Sequence, residues 1–142
     1  GMDAILKIQP LSGAALTATA RRFATTSKEP VAVVFSTNGT VDYCEMSPSF
    51  KTLPNMTWLK KGVPIPNTIT RDSQSIALQQ VESDYSTMED WFNGETSYEL
   101  LEEVMALGKT GQLLTVLTVS DMPDEDEEDE YVEDTYSRYS RF

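Results

Sequence analysis

The clearest strand pattern along the chain lies in residues 31–46, where two largely apolar runs rich in β-branched and aromatic residues flank Asn38-Gly39. Asn-Gly is well suited to a two-residue type I′ turn, because both central positions of that turn need positive φ. The pattern therefore predicts a hairpin with strands at 31–37 and 40–46, in which Thr37 pairs with Thr40. Both faces of this hairpin are largely apolar, so we expect it at the centre of a sheet that is covered on both sides.

In the predicted register, Phe35 pairs with Asp42, Val33 with Cys44 and Val31 with Met46. One face would then combine Val31, Val33 and Phe35 with Cys44 and Met46, and the opposite face would carry Tyr43.

Two further strands are predicted outside the hairpin. Residues 4–9 alternate weakly and stop at Pro10, which favours a short strand at the edge of the sheet. Residues 113–120 are apolar on both faces, which is typical of an interior strand. Residues 56–60 fit at most a brief strand.

Three segments have the spacing of helices. Ser12 is a suitable N-cap for a helix through Thr25 whose apolar stripe contains Leu16, Ala20 and Phe23. The capping-box spacing of residues 86–89 predicts a short helix that ends at Asn93-Gly94, and that of residues 96–99 predicts a longer helix through Met105. Asp72 or Ser73 is suited to cap a helix through Val81, and residues 75–82 fit a strand equally well. Residues 1–122 are thus predicted to form a small α+β domain, an antiparallel sheet covered by about three helices.

Residues 123–142 differ sharply from this domain in charge. Residues 121–142 hold ten acidic residues and two arginines, a net charge of −8 out of −12 for the chain. Such a run repels itself and has few apolar groups to bury, so we expect an acidic, disordered tail. It is interpreted as a solubilising tail, as a peptide that docks a partner through its end, or as a competitor of nucleic acid for a basic surface. The residues for docking are Tyr136, Arg138, Tyr139, Arg141 and Phe142.

The segment 47–72 is the strongest candidate site, because it is long, lacks periodicity and carries a distinctive charge. Four of the seven prolines lie in it, and no acidic residue occurs between Glu45 and Asp72. Long irregular segments inside compact domains are often functional. The candidate binding residues are Phe50, Lys51, Trp58, Lys60, Lys61 and Arg71. The alternative is that Phe50 and Trp58 are core residues under solvated lysines.

Composition restricts the chemistry. The chain has no histidine and one cysteine, Cys44, which excludes Ser-His-Asp and Cys-His catalysis and Cys/His zinc sites. Cys44 is expected to be a small buried hydrophobic residue. Glu99, Glu102 and Glu103 would crowd one helix, where they are either a solvated face or ligands for a divalent cation.

These observations favour a non-enzymatic regulatory or protein-interaction domain whose acidic tail modulates binding. The alternative is a carboxylate-dependent, divalent-metal enzyme with its site under the 47–72 segment. No catalytic residue, cofactor or metal site is assigned. We expect a protein partner and no membrane, with nucleic acid disfavoured by the net charge, and a homodimer remains open. The single cysteine and the lack of a basic-then-apolar N-terminal stretch favour the cytoplasm.

Overall fold

The computed structural model describes residues 2, 5, 13–53, 56–72, 80–93, 98–107 and 111–121. They form an α+β domain around a five-stranded antiparallel sheet with strand order β2-β1-β5-β4-β3. The strands are β1 (Val31–Thr37), β2 (Thr40–Met46), β3 (Val81–Thr87), β4 (Glu99–Ala106) and β5 (Gln112–Asp121). The helices are α1 (Gly13–Thr26), α2 (Pro48–Lys51), α3 (Ile69–Asp72) and α4 (Met88–Phe92).

The predicted hairpin forms, and its turn has the expected left-handed conformation, with φ of 51° at Asn38 and 84° at Gly39. The predicted register holds only next to the turn. Thr37 pairs with Thr40, but a bulge then places Phe35 opposite Tyr43 and Val34 opposite Cys44.

The bulge exchanges the faces of β2, since one extra residue reverses the alternation. Tyr43 therefore stacks on Phe35 with ring centroids 4.6 Å apart. Cys44 and Met46 pack on the opposite face with Ala32 and Val34. The predicted sharing of one face by Phe35, Cys44 and Met46 is thus wrong.

The centre of the sheet is β5, not the hairpin. β5 pairs with β1 on one side and with β4 on the other, whereas β2 is an edge strand. The interior-strand pattern of residues 113–120 is confirmed, because Leu114 and Val116 are buried on one face and Leu113 and Leu117 on the other.

The helix predicted from residue 96 to Met105 is wrong, because Glu99–Ala106 is strand β4. Leu, Glu, Met and Ala favour helices, but this preference is weak and tertiary pairing overrides it. Here β4 supplies the second partner of β5, and its Leu100, Val104 and Met105 are fully buried.

Both faces of the sheet are covered. Helix α1 confirms the predicted helix and packs Leu16, Ala20 and Ala24 on one face, together with Met2 and Ile5. The segment 47–72, named here the covering segment, packs on the other face with helix α4. Of the predicted strand 4–9, only Ile5 is described, and it has helical backbone.

Helix α4 confirms the short predicted helix, one residue later than its capping box was placed. Thr87 is the N-cap and accepts from Asp90 N, while the Asp90 carboxylate accepts from Thr87 N. Asn93 ends the helix in the left-handed conformation. In the ambiguous stretch 73–82, Val81 and Glu82 begin β3, and residues 73–79 lie outside the described residues.

Candidate functional site

The covering segment begins at Ser47, a buried residue that joins it to the start of β1. The Ser47 hydroxyl accepts from Val31 N at 3.0 Å and from Phe50 N at 3.2 Å, and donates to Glu29 O at 2.8 Å. The contact with Phe50 N makes Ser47 the N-cap of α2, with Pro48 at the first helical position. In this short helix Phe50 is buried, whereas the adjacent Lys51 is exposed.

Phe50 is a core residue. It is completely buried, and its ring meets that of Phe92 edge to face, with centroids 5.2 Å apart. It is therefore not accessible to a ligand, and the core alternative is correct for this residue. Leu53 and Ile65 are also buried and attach the covering segment to the same core.

Trp58 behaves in the opposite way. Its side chain is 52% exposed, although the neighbouring residues Met56 and Leu59 pack against the core. The ammonium of Lys51 lies over the Trp58 ring, 5.9 Å from its centroid, which is a cation–π geometry. An exposed indole held beside a cation is an available stacking surface.

Lys60 and Lys61 are exposed at a turn next to the sheet edge. The turn is attached to β2 by two backbone hydrogen bonds, Gly62 N to Val41 O at 2.9 Å and Val41 N to Val63 O at 2.8 Å. Gly62 has a φ of 92°, which a residue with a side chain rarely adopts. The backbone thus faces the sheet, and the two ammonium groups are left in solvent.

We name Lys51, Trp58, Lys60 and Lys61 the basic–aromatic surface. Arg71, the remaining predicted base, is exposed at the residue level, but its guanidinium donates to Ile65 O within the covering segment. The predicted tail residues Tyr136, Arg138, Tyr139, Arg141 and Phe142 lie outside the described residues.

Beneath the covering segment lies a fully buried carboxylate, Glu102 on β4. Its Oε2 accepts from Thr68 Oγ1 at 2.7 Å, from Thr70 N at 2.9 Å and from Thr70 Oγ1. Its Oε1 accepts from Trp91 Nε1 at 3.1 Å. Because Thr70 gives its proton to the carboxylate, the Thr115 hydroxyl 3.0 Å away donates to Thr70.

This network attaches α3 and α4 to the sheet. Buried charge is costly unless it is fully hydrogen-bonded, and four donors meet that requirement. Glu102 is enclosed and its oxygens are occupied, so its geometry is that of a structural anchor. The sequence showed Glu102 only as part of an acidic cluster. With the strand recognised, its position in line with the buried Leu100 and Val104 would have indicated burial.

The acidic cluster predicted on one helix does not exist. Alternation along β4 sends Glu102 to one face and Glu103 to the other, where Glu103 accepts from Met2 N at 3.0 Å. Within the described part of the chain, no three acidic or cysteine side chains are grouped so that they could hold a metal ion.

A small cluster on the opposite face was not predicted. Arg21 of α1 reaches the edge strand β2, where it pairs with Glu45 at 3.3 Å and lies 5.2 Å from the centroid of the Tyr43 ring. Burial raises the pKa of Tyr43, and the nearby Arg21 opposes that rise. The cluster attaches α1 to β2.

Cys44 is partly exposed as a residue, and its side chain packs against the core beside Met46. Desolvation of the thiol, followed by the negative charge of Glu45, raises the pKa of Cys44 to about 12. The thiolate is the reactive form of cysteine, so this environment makes Cys44 a poor nucleophile.

The sequence matches no protein-family model and no curated protein. Among the helices of the described residues, none has the length and apolar character needed to span a membrane.

Proposed function

We propose that this protein is a protein-interaction domain that binds an acidic, aromatic-containing peptide segment of a partner on the basic–aromatic surface. The observation that carries the proposal is the half-exposed Trp58 held beside Lys51 in an acid-free segment. Large aromatic side chains are usually buried in a monomer, and exposed ones are enriched where partners bind.

The chemistry of the surface fits a peptide of this kind. The lysines offer charge to aspartate and glutamate side chains, and the indole offers a stacking face to an aromatic side chain. Attachment of the covering segment to the sheet fixes this surface on a rigid scaffold, which lowers the entropy lost on binding.

A nucleic acid is a poorer match. At physiological salt, charges are screened over about 8 Å, so a short peptide feels mainly the local lysines. A long polyanion would extend beyond them over a protein whose net charge is −12. The proposed ligand is therefore a short protein segment.

The test is a binding titration at low salt with a short synthetic peptide of aspartate, glutamate and tyrosine, followed by tryptophan fluorescence. Lys60→Gln combined with Lys61→Gln should weaken binding by about 2–30-fold, since each exposed ion pair contributes roughly 0.2–1 kcal/mol. Trp58→Ala removes the fluorescent reporter, so its binding is measured by isothermal titration calorimetry, and it should be weaker still.

The matched control is Arg22→Gln combined with Lys28→Gln, which removes the same charge from the exposed side of α1 and the loop that follows it. This control should bind the peptide as well as the natural chain does. An equal loss of peptide affinity in both double variants would mean that the lysines act only through the net charge of the protein, which would contradict the proposal. Binding of oligothymidylate in preference to the peptide would also contradict it.

A further inference from the structure

The part of the basic–aromatic surface that carries Lys51 lies toward the end of the sheet where β5 ends. Ser47, at the start of the covering segment, donates its N–H to Val31 O at 2.9 Å. Val119, two residues before the end of β5, donates its N–H to Pro30 O at 3.2 Å. The helix that carries Lys51 and the end of β5 therefore meet at the same end of β1.

From the end of β5, the acidic run is within reach of this surface. Asp121 is the last residue of β5, and seven consecutive acidic residues occupy positions 124–130. The nine residues from Asp121 to Glu130 span up to about 30 Å when extended. That is about the length of β5 itself, so the first acids of the run can reach Lys51, whereas only the last acids of an extended chain approach the lysines by Gly62, at the other end of β1.

We propose that the acidic run 124–130 of the chain itself docks on the basic–aromatic surface and competes there with the partner peptide. This inference rests on the proposed function, because both ligands use the same site. The tether gives the run an effective concentration of about millimolar, so even a weak charge attraction leads to substantial occupancy. A partner must displace the run, so its apparent affinity equals its intrinsic affinity multiplied by the fraction of the surface that is open.

The contact is electrostatic and exposed, so it is sensitive to salt. The screening length is about 10 Å at 0.1 M salt and about 3 Å at 1 M. High salt should release the run from the surface and uncover Trp58. Trp91, which is buried at 4% exposure, should be unaffected.

The test compares the full chain with a full-length variant in which the seven acids of 124–130 are replaced by Asn and Gln. The first readout is quenching of Trp58 fluorescence by acrylamide, a neutral molecule that responds to occlusion and not to charge. The second is affinity for the aspartate–glutamate–tyrosine peptide. The neutral-tail variant should show stronger quenching and bind the peptide about twofold or more tightly.

Two controls separate docking from a general charge effect. The gain in peptide affinity should shrink when Lys60→Gln and Lys61→Gln are added. A gain of the same size in that background would show that the tail acts only through the net charge of the protein, and would overturn the inference. Replacing the five aromatic and basic residues of 136–142 by Ala leaves the acidic run intact, and should leave quenching unchanged.

The two proposals fail in different ways. If the full chain and the neutral-tail variant bind the peptide equally, with the same quenching, tail docking is wrong and the proposed function stands. If neither chain binds the peptide, the proposed function is wrong and the inference fails with it.

Discussion

Replacing Thr70 by Val tests whether the buried network around Glu102 holds the covering segment on the sheet. The change keeps the shape of the side chain and removes the hydroxyl that links Glu102 to Thr115. A hydrogen bond to a charged group contributes roughly 1.5–3 kcal/mol. Thr115 also loses its acceptor, so we expect a loss of about 2–3 kcal/mol in the free energy of unfolding.

The assay is urea unfolding followed by circular dichroism. With a slope of about 1–3 kcal/mol per molar urea, this loss moves the midpoint by roughly 0.7–3 M. Thr70→Ser keeps the hydroxyl and loses only the methyl group, so it should cost about 1 kcal/mol or less. In a Glu102→Gln background, Thr70→Val should cost clearly less than it does alone, because the charged acceptor is gone.

The reasoning is refuted if Thr70→Ser is as destabilising as Thr70→Val, since the methyl group would then carry the effect. It is also refuted if Thr70→Val costs the same in both backgrounds. Either result would mean that the hydroxyl and the carboxylate do not act together.

Three other predictions follow from local geometry. Gly39→Val should destabilise the protein by about 1–3 kcal/mol through backbone strain alone, because nothing lies within 4 Å of an added Cβ, and Gly39→Asn should cost far less in thermal melts. Thr87→Ala should cost about 1 kcal/mol by removing the cap of α4, whereas Thr87→Ser should be nearly neutral in the same melts. The Cys44 thiol is neutral when folded up to a pKa of about 12, but ionises near 8.5 when unfolded, so stability should fall as pH rises above about 8.5. Below that pH the thiol should give no slope, and Cys44→Ala should flatten the alkaline slope in urea unfolding; an equal slope in both chains would contradict this.

Local sequence patterns were sufficient to predict the structure where the conformation of a short segment depends only on its own residues. Asn38-Gly39 specifies its turn through φ, and Thr87 and Asp90 specify the start of α4 through reciprocal hydrogen bonds. Helix α1 was predicted well because its small residues form a single stripe against the sheet.

Prediction from sequence failed where contacts with residues distant in the chain determine the local structure. Strand β4 has the composition of a helix, and only its pairing with β5 and β3 makes it a strand. The bulge in β2 is accompanied by stacking of Tyr43 on Phe35 and by the approach of Arg21 from α1, neither of which appears in the alternation of β2.

The candidate site was predicted as a segment, but not residue by residue. The acid-free stretch was visible in the sequence. That Phe50 is buried while Trp58 is exposed depends on the contact of the Phe50 ring with Phe92, which the sequence does not show. The covering segment has no periodicity, so no pattern could assign its inward and outward side chains.

The most direct test of the proposed binding surface uses the two tryptophans of the chain as a matched pair in one sample. In a ¹⁵N–¹H correlation spectrum, each indole N–H gives one signal, and Trp58 and Trp91 differ in exposure, at 52% and 4%. As the aspartate–glutamate–tyrosine peptide is added to the neutral-tail chain, the Trp58 signal should shift progressively and saturate. The Trp91 signal, held by Glu102, should stay in place. A stationary Trp58 signal, or equal shifts of both signals, would contradict binding at the basic–aromatic surface.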